Sequence, residues 1–220
     1  DINQASAVAA GQPATPVVDY GYVSGTAGER KTDLSVATSG ASELALTLDG
    51  AKGELLQASG FLDINVYGFV AVQGNLAVSK TSQNVKLASD IASTTTVNEA
   101  TAGITVDVLT IGGTGLNAFA GVNGGYTDKA GTLKADAMGL SLSGVEFGLA
   151  LMSERADADP LTTARKWTTL QASAASVGFV GLGSDLTIEA TGVKVDINQA
   201  SAVAAGQPAT PVVDYGYVSG

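Results

Sequence analysis

The stretch FLDINVYGFVAVQGNLAVSK, residues 61–80, alternates apolar and polar side chains around two glycines. Its apolar residues recur every second position: Leu62, Ile64 and Val66, then Val70 and Val72. This period is typical of a β-strand, because successive strand side chains point to opposite faces of a sheet. The stretch therefore predicts strands that bend or reverse at Gly68 and Gly74.

The same alternation recurs along most of the chain, and helical spacing is scarce. It is clearest in GITVDVLTIGG, GLSLSGVEFGLALM, ASVGFVGLGSDLTIEATGVKVDI and TPVVDYGYVSG, and the chain contains 28 glycines that separate such runs. We predict an all-β protein of about fifteen short strands, built as an elongated β-solenoid or a stacked-sheet repeat unit. Tandem β-sandwich domains are the alternative, and strand pairing separates the two. A solenoid pairs coils in parallel, whereas a sandwich pairs neighbouring strands antiparallel.

Composition excludes several classes of function. The formal net charge of −10 argues against binding to nucleic acid or to anionic membrane surfaces, because both need clustered Lys and Arg. The chain has no His and no Cys, so neither an imidazole base nor a thiolate nucleophile is available. The sequence contains no run of 18 apolar residues, which is the length that would predict a membrane-spanning helix. An acidic, Cys-free and Gly-rich chain suits a bacterial extracellular or cell-surface location.

The sequence contains one segment twice. Residues 1–25 and 196–220 are both DINQASAVAAGQPATPVVDYGYVSG. Three interpretations are a window onto a tandem array, a duplication that serves strand exchange between subunits, and an engineered chain. We favour the array, with residues 1–195 as one repeat unit and residues 196–220 as the start of the next. The expected partners are then neighbouring identical repeats or subunits in a filament.

The run PVVDYGYV inside the repeated segment is the candidate contact between units. As a strand it places alternate residues on one face, and the two tyrosines of that face add contact area at low entropy cost. The predicted contact residues are Val213, Tyr215 and Tyr217, with Val18, Tyr20 and Tyr22 as their counterparts in the first copy.

The sequence contains only weak candidates for metal binding or catalysis. GGTGLNAFA, residues 112–120, is similar to one nonapeptide of a calcium-binding β-roll, with Asn117 at the acidic position, but a Gly-rich turn into a strand is the simpler interpretation. ERADADP brings the oxygen ligands of Glu154, Asp157 and Asp159 close together, but their spacing fits no defined calcium loop, and a solvated charged loop is the simpler interpretation. We therefore expect no cofactor unless calcium binds at these residues. Asp63 and Glu146 are the carboxylates within apolar strands, and no catalytic residue or enzyme activity is predicted.

Four segments carry a resemblance to a known class of protein: GFLDINVYGFVAVQG, LNAFAGVNGG, GLSLSGVEFGLALM and WTTLQASAASVGFVGL. They resemble repeats of giant tandem-repeat, adhesin-like proteins of bacterial surfaces and secretions. The resemblance implies an extracellular structural or adhesive role and no catalytic residue. The expected function is a structural repeat of an extracellular filament or surface fibre with units joined end to end. The alternative is an adhesin repeat that binds glycan or calcium through its loops.

Overall fold

The computed structural model describes most of the chain, and its described residues are nearly all β. The described residues are 1–5, 15–21, 23, 29–89, 99–155, 164–183, 187–201 and 209–216. Within them there is no α-helix, and one 3-10 turn spans Gly50–Lys52. The strands are β1 (Ile2–Asn3), β2 (Ser35–Ala37), β3 (Glu43–Ala45), β4 (Leu55–Val66), β5 (Val70–Val85), β6 (Ile104–Val122), β7 (Met138–Glu154), β8 (Lys166–Val180) and β9 (Glu189–Ala200).

Seven of the strands form one antiparallel sheet. Their order is β1-β4-β5-β6-β7-β8-β9, so from β4 onward each strand pairs with the next one along the chain. β2 and β3 form a separate antiparallel pair. Every pairing between the described strands is antiparallel, which is not the parallel coil-to-coil pairing that we expected of a solenoid. The all-β prediction is confirmed.

The described strands of the large sheet are mostly longer than predicted, because several glycines lie inside strands rather than between them. Gly68 does form a turn, where Tyr67 and Gly68 both have positive φ and Phe69 N–H donates to the Val66 carbonyl. Gly74 instead lies within β5, opposite Gly115 and Leu116, where β6 has one more residue than β5. The positive φ of Gly115 lets β6 absorb that extra residue as a bulge without ending. Strands of 12 to 19 residues result.

Two hydrophobic clusters lie near opposite ends of the long strands in the described part of the chain. The first contains Val85, Leu87, Val106, Val108, Met152, Trp167 and Val213. The second is centred on Phe119, with Ala71 and Ala137. Trp167 is 1% exposed, so the only tryptophan of the chain is a core residue and a fluorescence probe of the first cluster.

Lateral rows of side chains cross the middle of the sheet and alternate in polarity. One row is apolar: Ala58, Val78, Ile111, Leu149, Leu170 and Ile197. The next row, on the opposite face, is mostly polar: Gln57, Ser79, Thr110, Ala150, Thr169 and Asn198. The first cluster lies on this second face, because Val108, Met152 and Trp167 are two residues along their strands from Thr110, Ala150 and Thr169.

The described chain contains no helix with the length and apolarity that a membrane crossing requires.

The bulge of β6 opposite Gly74 provides a direct test of the long-strand architecture. A Cβ added at Gly74, where φ is +146°, would lie 2.7 Å from the Leu116 Cα. We expect Gly74→Ala to lower the free energy of unfolding by roughly 1–3 kcal/mol, measured by urea denaturation with Trp167 fluorescence. Gly60→Ala is the matched control, because a Cβ there meets nothing within 4 Å. Equal denaturation midpoints for the two variants would contradict the bulge.

Candidate functional site

The two copies of the repeated segment lie at opposite edges of the large sheet. In the first copy, Ile2 pairs with Leu56 of β4 and Asn3 pairs with Leu55. In the second copy, the equivalent Ile197 continues strand β9 and pairs with Leu170 of β8. The same residues thus form one edge strand twice, with a different neighbour each time.

Beyond the strand, each copy contains an extended segment that we call the strap, residues 15–21 in the first copy and 210–216 in the second. The two copies of the repeated segment make the same hydrogen bonds to and within their straps. Asn3 Nδ2 donates to the Val18 carbonyl at 2.8 Å, and Asn198 Nδ2 donates to the Val213 carbonyl at 2.8 Å. Gly21 N–H donates to Asp19 Oδ1 at 2.9 Å, and Gly216 N–H donates to Asp214 Oδ1 at 2.8 Å. The straps therefore share these local contacts.

The second strap packs against strands that precede it in the chain. The Val212 carbonyl accepts from Ala88 N–H at 2.9 Å, and Asp214 N–H donates to the Lys86 carbonyl at 2.9 Å. Two side-chain bonds add to these. Trp167 Nε1 donates to the Pro211 carbonyl, and the Tyr215 hydroxyl donates to Thr169 Oγ1, both at 2.8 Å. Val213, 4% exposed, completes the first hydrophobic cluster.

The first strap instead contacts residues that follow it in the chain. Tyr20 N–H donates to the Leu48 carbonyl at 2.8 Å. Asp19 Oδ1 accepts from Gly50 N–H at 3.0 Å, and Lys31 Nζ lies 2.6 Å from Asp19 Oδ2. The hydrogen bond from Lys31, followed by those from the Gly50 and Gly21 amides, lowers the pKa of Asp19 to about 2. Val18, the counterpart of the buried Val213, is 48% exposed.

The two sets of contacts use different atoms of the repeated sequence. The second strap uses the Pro211 and Val212 carbonyls, the Asp214 N–H and the Tyr215 hydroxyl. The first strap uses the amide of Tyr20 and the carboxylate of Asp19. Burial is complementary as well, since Asn3 and Gly21 are buried where Asn198 and Gly216 are exposed. One copy of the segment could therefore make both sets of contacts at once.

A buried ion cluster lies beside the second strap. Arg165 donates to both oxygens of Glu99, at 2.7 and 3.1 Å, and to both oxygens of Glu154, at 2.7 and 2.8 Å. Glu99 is fully buried, and its carbonyl accepts from Leu87 N–H in the first cluster. The hydrogen bonds from Arg165 hold the pKa of Glu154 below its usual value despite its partial burial. Local sequence does not indicate this cluster, because Glu99 and Arg165 are 66 residues apart in the chain.

The structure does not bring the calcium candidates Asn117 and Glu154 together. Asn117 lies within strand β6, opposite Gln73, rather than in a turn. Glu154 pairs with Val106, eleven residues from Asn117 along the same strand, so about 35 Å separate the two positions. Asp157 and Asp159 lie outside the described residues. Within the described ranges, no group of three acidic, His or Cys side chains could hold a metal ion.

The predicted contact residues of the strap occupy different environments. Val213 is buried within its own unit, whereas Tyr215 is 61% exposed. Tyr20 is half-buried, and Tyr22 and Tyr217 lie outside the described residues. The predicted strand is not part of a ladder, since a single bridge links Val213 to Leu87. Proline at position 211 removes one backbone donor from this segment, which limits its pairing.

No family model, curated protein or solved structure matches this chain.

The asparagine at the base of each strap provides a paired test. Asn198→Ala removes the bond to the Val213 carbonyl, at a cost of about 1 kcal/mol of local stability. We expect faster hydrogen exchange at the Ala88 amide, which the second strap protects through the Val212 carbonyl. Asn3→Ala makes the same chemical change in the first strap and should leave exchange at Ala88 unchanged. Equal effects from both variants would contradict separate docking of the two straps.

The ion cluster predicts a defined pH dependence. Because the pKa of Glu154 is lower folded than unfolded, its contribution to stability is complete above the ordinary value of 4.5 and is lost as pH falls through the lowered pKa. Glu154→Gln should lower the free energy of unfolding by about 1–3 kcal/mol at neutral pH, with a smaller deficit in acid. Urea midpoints measured across pH check this. Substitution of the exposed Glu43 by Gln is the control, and a deficit that grows in acid would contradict the assignment.

Proposed function

We propose that this chain is a structural unit of a bacterial extracellular filament or surface fibre, in which identical units are joined end to end and no catalysis takes place. The observation that carries the proposal is the repeated segment itself. Its second copy contacts the strands before it, and its first copy contacts the residues after it, through atoms that do not overlap. A segment of this kind is suited to lie between two units.

A head-to-tail arrangement follows from the two different surfaces. The surface that receives the second strap is formed by residues near Leu87 and Trp167. The surface that receives the first strap is formed by residues near Leu48 and Gly50. Contacts between unlike surfaces produce open chains of units when the rotation between units does not close a ring. Repeat proteins of this kind draw much of their stability from interfaces between neighbours.

The location in this proposal rests on composition. The chain is acidic, with 21 Asp and Glu against 11 Lys and Arg, and it lacks cysteine. Calcium binding at Glu154 is disfavoured, since both of its carboxylate oxygens accept hydrogen bonds from Arg165. A structural role needs neither ligand.

A series of extended chains tests the proposal. Adding further copies of residues 26–220 after Gly220 gives two-unit and three-unit chains in which each internal repeated segment belongs to two units. We expect electron micrographs to show rods whose length grows by a constant increment per unit. We also expect the urea midpoint to rise with unit number, because each junction adds an interface. Units that tumble independently, with one common midpoint, would contradict the proposal.

Metal removal provides a separate check on the ligand-free role. Excess EDTA should leave the rod length and the urea midpoint of the three-unit chain unchanged. Shorter rods or a lower urea midpoint in EDTA, reversed by added calcium, would instead support the adhesin alternative.

A further inference from the structure

We infer that neighbouring units share one unbroken antiparallel sheet, in which β9 of one unit pairs with β4 of the next in the register that places Asp196 opposite Gln57. This inference rests on the proposed end-to-end function and specifies its interface. The partner is a second copy of this chain's own unit.

The register is present in the first copy. Ile2 and Asn3 occupy the outer edge of β4, opposite Leu56 and Leu55. The Asp1 amino group donates to the Gln57 carbonyl, and Gln57 N–H donates to the Asp1 carbonyl at 2.6 Å. The equivalent residues of the second copy belong to a full strand of 12 residues, the same length as β4. Carried along both strands, the register pairs Asn198 with Leu55 at one end and Glu189 with Ile64 at the other.

The sides to which the N–H and carbonyl groups of β9 point also agree with this pairing. Ser201, next to the end of β9, donates its N–H to the Lys166 carbonyl at 2.7 Å. Backbone groups of successive strand residues point alternately to the two sides, so odd-numbered residues in this half of β9 address β8. Even-numbered residues, Asp196 among them, address the open edge. Asp196 is the counterpart of Asp1, the residue that bonds to Gln57.

Strand direction and side-chain faces also continue across the junction. Six strands, β4 to β9, alternate in direction, so β9 is antiparallel to β4. Ile197 lies in the lateral row that ends at Ala58, and Leu56 is two residues from Ala58 on the same strand and the same face. A slip of one residue would exchange the two faces of the sheet between units. The observed register avoids that exchange.

The strap would close the same junction on one face. Its preceding-unit contacts are to Lys86 and Ala88, and its following-unit contacts are to Leu48 and Gly50. In the strap's alternating backbone, the Val212 carbonyl and the Asp214 N–H address one side, while the amide at the Tyr20 position addresses the other. The strap would therefore lie between the two units as β9 does, above the sheet rather than in it.

The uncovered edges of β9 and β4 also favour this pairing. Among the described strands, β9 has β8 as its single neighbour, and β4 has only Ile2 and Asn3 along its outer edge. Long uncovered edges invite unwanted pairing with other chains. Val195, 45% exposed at the edge of β9, would gain Ala58 as its lateral neighbour.

Engineered disulfides in the two-unit chain test the register, because the chain has no cysteine of its own. Val195 and Ala58 would form a pair without hydrogen bonds between them, since the adjacent Asp196–Gln57 pair carries the bonds, and such pairs bring side chains close. Val195→Cys in the first unit with Ala58→Cys in the second should cross-link on mild oxidation, at least roughly tenfold faster than the controls. One control combines Val195→Cys with Ser59→Cys of the second unit, a slip of one residue. The other places Val195→Cys and Ala58→Cys in the same unit.

The possible outcomes distinguish a failure of the predicted register from a failure of the proposed end-to-end function. Rapid cross-linking of the predicted pair alone supports the shared sheet. Faster cross-linking of the slipped pair or of the pair within one unit would overturn it, the latter by showing that the sheet closes on itself. Rods that lengthen with unit number while the predicted pair stays reduced would also overturn the register but leave the end-to-end function standing. Independent units with no cross-link would remove both.

Discussion

Backbone hydrogen bonding along antiparallel strands is the interaction on which the rest of this structure depends. The two hydrophobic clusters occupy the ends of the large sheet, and the rows between them alternate apolar and polar side chains on its two faces. The middle of the sheet therefore depends on backbone hydrogen bonds, and a strand pairs all of its backbone groups in this way only with a neighbour on both sides. Among the described strands, β9 has β8 as its single neighbour, and β4 has only Ile2 and Asn3 along its outer edge.

The repeated segment contacts the large sheet at both of its edges. Its strand residues, Ile2 and Ile197, contact β4 in one copy and β8 in the other. Its strap completes the first hydrophobic cluster through Val213, while the equivalent Val18 remains exposed. Because the sequence is identical, the difference in burial arises from the neighbours available to each copy. In the proposed filament, a segment between two units would have both sets of neighbours at once.

The sequence predicted the class of fold but not its strand pairing. Alternation in residues 61–80 marks β4 and β5 correctly, because a half-buried strand must place every second side chain on the same face. The glycines led to a wrong number of strands, since Gly74 lies inside a strand, opposite a bulge of β6, where a break was expected. Local sequence does not distinguish a glycine at a bulge from a glycine at a strand end. The Arg165 cluster and the Asn198 bond to the strap were missed for a different reason. Both join residues that are distant in the chain or in different elements, so only the folded register brings them together.

Hydrogen exchange of the two-unit chain is the most direct measurement of whether one unit completes the edge of the next. The peptide that covers residues 189–200 occurs once at the junction and once at the free edge, with the same sequence in both places. A shared sheet predicts two populations of that peptide in equal amounts, one protected at residues such as Lys194 and Asp196 and one exchanging as it does in the single unit. A single population that exchanges as in the single unit would contradict the account.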